Sequence, residues 1–90
     1  MPVVSVMKDP ERAVESALAG ADRAATVTAV YVIEVSPLLP LDAAMAVEEE
    51  HARRFLRRAD AAGAARGARV VPRLVRARDA AAAVRALAAD

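Results

Sequence analysis

The sequence predicts an α/β fold: three layers, βαβαβα, with a short parallel sheet in the order 3-2-1. Three observations carry that prediction. The stretch Thr26 to Pro40, TVTAVYVIEVSPLLP, crowds Val27, Val30, Val32, Ile33 and Val35 around Tyr31, with neither Gly nor Pro before Pro37. Apolar character on both alternating faces marks a strand covered on both sides, as in parallel sheets between helices. Two further apolar runs, VVSVM and RVVPRLV, alternate with segments of helical period, and the short connections favour crossovers of one hand.

Val3 to Met7 is the first strand, followed by Lys8 and then Asp9-Pro10-Glu11. Asp9 suits a helix N-cap, Pro10 the first helical position and Glu11 the positive end of the helix dipole. Ala13, Val14, Ala17, Leu18 and Ala21 recur at three and four, giving an apolar stripe, while Glu11, Arg12, Glu15 and Ser16 face water. Gly20 is the expected stop. Strand two runs from about Ala24 to Val35, and Ser36-Pro37 and Leu39-Pro40 end it, because proline cannot donate to a ladder.

Asp42 is the expected cap of a long second helix, Ala43 to Ala65, with Val47, His51, Ala52, Phe55, Leu56, Ala59 and Ala62 inward. Glu48, Glu49 and Glu50 precede Arg53, Arg54, Arg57 and Arg58, so ion pairs one turn apart are available on its outer face. Gly63 and Gly67 are read as its stops. Arg69 to Val75 is strand three, and Pro72 inside it predicts an edge strand. Asp79 caps a last helix, Ala80 to Ala89, with Val84, Leu87 and Ala88 inward. With strand two central and strand three at one edge, strand one keeps an open edge at Val3, Val4, Ser5 and Val6. Unpaired apolar edges are a liability, so a partner is expected there, and Val4→Pro is expected to remove an edge donor.

Ninety residues make one domain, which buries only about 60–65% of the surface its unfolded chain exposes. An apolar share of 57% excludes a disordered tail, and an aromatic share of 2% argues against stacking on single-stranded nucleic acid. The formal charge of +1 conceals six Arg against the single Asp79 between Arg66 and Arg85, a composition that coding bias can also produce. Cysteine is absent, which leaves no disulfide or thiol chemistry. No apolar run approaches the ~20 residues of a membrane span, and Met1 leads directly into a strand without a signal-peptide pattern. The expectation is a cytoplasmic chain that binds no nucleic acid and does not insert into membranes.

Three phrases, VVSVMKDPERAVESAL, YVIEVSPLLPLDAA and VPRLVRARDAAAAV, resemble the universal stress protein (UspA-like) domain, most closely the cytoplasmic tail of APC-type amino-acid permeases. The likeness spans nearly all ninety residues but only the first part of that Rossmann-like fold, so it implies a half fold truncated after the third strand-helix unit. It implies an adenine nucleotide, ATP or AMP, at the carboxyl edge of the sheet, with a regulatory rather than an enzymatic role. Ser5 stands where a proline is frequent, Met7 where nucleotide-binding members place an Asp, and Val32 beside the adenine. The family's glycine-rich phosphate loop is absent from these ninety residues. Partners implied are a second copy in a homodimer, a complementary C-terminal half, or a membrane permease.

Lys8, Arg76 and Arg78 sit where strand ends meet helix starts, so they either hold a phosphate or serve as solvated loop and cap residues. His51 is the single histidine and is read as a partly buried helix residue, since one His without spaced ligands makes no metal site. Glu48 to Glu50 read as a solvated face, and no nucleophile elbow is present. The leading expectation is a nucleotide-sensing regulatory domain. The alternative is a protein–protein interaction module with a degenerate nucleotide site, working through the open edge of strand one.

Overall fold

The computed structural model describes residues 2–19 and 25–89. Its elements run β1 (Val3–Ser5), α1 (Pro10–Leu18), β2 (Thr26–Glu34), α2 (Ala46–Ala65), β3 (Arg69–Ala77) and α3 (Ala80–Ala89). The three strands form one parallel sheet in the order β1-β2-β3, so β2 is central and β3 lies at an edge. Gly20, Ala21 and the start of strand two at Ala24 fall outside the described residues.

The aspartate caps predicted at α1 and α3 act as expected. Asp9 Oδ1 accepts from the Arg12 amide at 3.1 Å with Pro10 at the first turn, and Asp79 Oδ1 accepts from the Ala82 amide at 3.1 Å. At α2 the expectation fails. The helix begins at Ala46 behind Met45, without a side-chain cap, and Asp42 is exposed in the preceding turn. The reason is that residues 35–43 are held by Arg76 of β3 and by Arg78 just after it, and the chain turns helical only beyond them.

Register sorts the sheet into two faces. Val4, Val27, Ala29 and Val70 share the face on which Val14, Leu18 and Ala59 pack, so α1 and α2 lie together there. Thr28, Val30, Val32 and Glu34 point the other way. α3 lies on that second face: it packs on β1, β2 and β3 but on neither α1 nor α2. The inward stripe of α2 comprises Ala52, Phe55, Leu56, Ala59, Ala62 and Gly63, whereas Val47 and His51 are exposed, because the helix starts one turn late and meets nothing on that side. His51 is therefore not the partly buried residue expected. On α3, Val84 and Leu87 are half-buried, while Ala88, expected inward, is exposed.

Gly67 alone stops α2. Its φ of 70° is the left-handed conformation, and the Ala68 amide reaches back to the Gly63 carbonyl at 2.9 Å while Gly67 reaches Ala64 at 3.0 Å. Gly63 lies inside the helix, buried against Val70, so its lack of a side chain serves close packing rather than termination. Tyr31 of β2 meets Phe55 of α2 edge-on at 5.7 Å, and the Arg58 guanidinium lies 5.1 Å from that ring while paired twice with Glu11 of α1 at 2.8 Å. Sheet, α2 and α1 are thus joined through one chain of side chains. Glu11, expected in water, is half-buried in that link. Among the described residues no helix is long and apolar enough to cross a membrane.

Candidate functional site

The residues predicted to meet at the carboxyl edge of the sheet are spread over both of its faces. Ser5 and Val32 lie on the α3 face, and Val32 is 3% exposed, beneath any ligand rather than beside it. Met7 is half-buried just after β1, and Lys8 next to it is exposed without an ion pair among the described residues. Arg76 is the last-but-one residue of β3, not a loop residue, because the strand runs two residues beyond Val75. Its register with Ile33 turns it to the α2 face, where it pairs with Glu49 and donates to the Ala43 carbonyl at 2.6 Å.

Arg78 follows the strand and reaches a different set of acceptors. Its Nη1 donates to the carbonyls of Val35 at 3.3 Å and Leu39 at 2.8 Å, and also to that of Ser36. Both arginines thus satisfy the backbone of the loop after β2, which has few internal amide partners of its own. Two of those partners are the Leu38 amide to Ser36 Oγ at 3.2 Å and the Leu39 amide to the Ser36 carbonyl at 3.0 Å. Glu34, at the end of β2, accepts from the Ala80 amide at 3.0 Å and so joins β2 to the start of α3. That role was missed; a carboxylate ending an otherwise apolar strand was the available signal.

Among the described residues, Glu11 and Glu50 are the carboxylates displaced from their ordinary range. Hydrogen bonding from Arg58 lowers Glu11, and hydrogen bonding from Arg53 at 3.0 Å lowers Glu50. Both are held ionised, which suits ion pairing. The pairs four residues apart expected on α2 do not form among the described residues: Glu50 pairs with Arg53 three residues on and lies 4.0 Å from Arg57 seven residues on, while Glu49 and Arg58 turn to other elements. No cluster of three or more His, Cys, Asp or Glu capable of holding a metal occurs among the described residues.

The two edges of the sheet differ in a way that alternation of the backbone makes explicit. In β3 the Arg69 amide and the Ala77 carbonyl engage β2, so odd residues face inward and Val70, Pro72, Leu74 and Arg76 face out. Pro72 therefore removes a donor from the outer edge at no cost to the ladder. In β1 the Pro2 carbonyl and the Val6 amide engage β2, so Val4 and Val6 face inward while Val3 and Ser5 present amide and carbonyl outward. The expectation for Val4→Pro is corrected accordingly: it removes a ladder bond, and the edge donors belong to Val3 and Ser5.

A groove of about 520 Å³ lies between α2 and β3, lined by Leu56 and Pro72 and rimmed by Arg53, Arg57 and Asp60. A smaller hollow of about 280 Å³ is lined by Ala46, Val47, Glu50, His51 and Arg54. None of the six residues assigned to nucleotide binding lines either. A scan of protein-family models and searches of curated proteins and of solved structures find no match to this chain.

Proposed function

We propose that the chain is a non-enzymatic assembly module of the α/β class whose working surface is the outer edge of β1, completed by a parallel strand from a complementary half. The observation that supports this is the position of α3. Helices α1 and α2 share one face while the strands step from β1 to β2 to β3. Crossovers of one hand tie stepping direction to face, so a helix on the opposite face steps back. α3 does this, leaving β3, crossing β2 and reaching β1, and the position it serves lies beside Val3 and Ser5.

Extending the chain past Asp90 with a glycine turn and an alternating Val/Thr strand of about 5 residues tests the reading. The added strand is expected to slow hydrogen exchange at the Val3 and Ser5 amides and to raise the Tm. The comparison is the same extension carrying proline in its strand. Equal exchange and equal Tm in the two would sink the proposal.

One observation favours the nucleotide-sensing reading as a second: Lys8 stands exposed after β1, with no ion pair among the described residues. Its test is calorimetric titration with ATP and then AMP, where a micromolar dissociation constant, about −8 kcal/mol, should weaken in Lys8→Ala. Arg76 and Arg78 are poor probes of that site, since removing either also releases the loop after β2.

A further inference from the structure

Among the described residues, four of the five large hydrophobic side chains exposed at the surface, Leu38, Leu39, Leu41 and Val47, fall within ten residues of the chain. Leu38 is 93% exposed. A run of this kind ordinarily pays an ordering cost when it docks, but here the backbone beneath it is already fixed. Arg78 holds the Val35, Ser36 and Leu39 carbonyls, Arg76 holds that of Ala43, and the Ala43 amide reaches Pro40 at 3.0 Å. Pro37 and Pro40 set φ on either side of the leucines. The loop is a preformed apolar knob, and exposed patches of this kind mark interaction sites.

Charge and shape point to what it fits. Asp42 follows Leu41 directly and is exposed, so the knob carries a negative charge at its base. The groove between α2 and β3 has an apolar floor, Leu56 and Pro72, and a rim on which Arg57 stands 67% exposed and only loosely held, 4.0 Å from Glu50. We infer that the Leu38–Leu41 loop of one copy docks into the Leu56–Pro72 groove of a second copy, with Asp42 facing Arg57. Knob and groove are different surfaces, so the contact is heterologous and joins copies head to tail. It is independent of the β1 edge, whose partner is a different strand.

The test is solution mass against concentration by sedimentation, on the full chain. Wild type is expected to grow in mass with concentration, and Leu38→Asp, an exposed change that leaves the core untouched, to remain monomeric. Asp42→Arg and Arg57→Glu are each expected to weaken association, and the two changes together in one chain to restore it. Ser5→Pro, which blocks the β1 edge, is expected to associate like wild type. The inference is overturned if wild type stays monomeric throughout, including if it floats with phosphatidylcholine vesicles instead. It is equally overturned if Leu38→Asp associates unchanged, if Ser5→Pro abolishes association, or if the charge swap fails to restore it.

Discussion

On one face of the sheet, α1 and α2 bury Pro10, Val14, Leu18, Ala52, Ala59 and Gly63; on the other, α3 buries no residue. The two faces are built from similar strand residues, so the difference lies in the helices. α3 reads AAAAVRALAA, and alanine favours helix while removing little apolar area from water. What holds α3 is its start, where the Asp79 side chain and Glu34 occupy two of its free amides. One face therefore takes buried side chains from helices and strands alike. On the other, α3 is positioned by its cap and covers the buried strand residues Thr28, Val30 and Val32 with mostly small side chains.

The same substitution on each face measures that contrast. Leu18→Ala removes a side chain from the buried cluster and is expected to cost about 2–5 kcal/mol. Leu87→Ala on α3 removes a half-buried one and is expected to cost less than about 1.5 kcal/mol. Urea denaturation of both variants checks the pair. Equal losses would mean that α3 contributes to the core as α1 does, and the contrast would fail.

A smaller effect tests how closely the thick face is packed. A Cβ on Gly63 would lie 2.3 Å from Val70 Cγ2, a branched side chain with little room to rotate. Overpacking of this kind costs about 1–3 kcal/mol, and Ala in a helix returns up to about 1 kcal/mol over Gly. Gly63→Ala is therefore expected to be destabilising by about 1 kcal/mol net, and Val70→Ala in the same chain to relieve the clash. Additive losses in the double variant would show that Val70 is not the obstacle.

Much of this was legible because local chemistry and global position agreed. The β-branched run of β2, the Asp9-Pro10 and Asp79 caps and the edge proline Pro72 each depend on a few neighbouring residues, and each lies where predicted. What failed depended on distant partners. Asp42 has the form of a cap, but Arg76 and Arg78 hold the turn around it and postpone the helix to Ala46. For the same arginines the sequence left a phosphate role and a loop or cap role open, and nothing in their own segment revealed that loop carbonyls and Glu49 would take their hydrogen bonds. Gly63 was read as a stop because a sequence shows a missing side chain without showing the Val70 methyl that requires it.

The smallest effect separates the faces by pH. Glu11 of α1 and Arg58 of α2 form a twofold hydrogen-bonded pair, both ends of it 44% exposed, across the thick face. α3 has no such pair to the sheet among the described residues. The pair lowers the carboxyl of Glu11 in the folded chain, so its stabilisation is present above the ordinary glutamate range and is lost as pH falls through the lowered value. Exposure and salt keep it small. The Tm of wild type is expected to exceed that of Glu11→Gln near neutral pH, and the gap to close on acidification and at high salt. Parallel Tm–pH curves for the two chains would show that the bridge joins α1 to α2 in geometry alone, leaving burial as the whole difference between the faces.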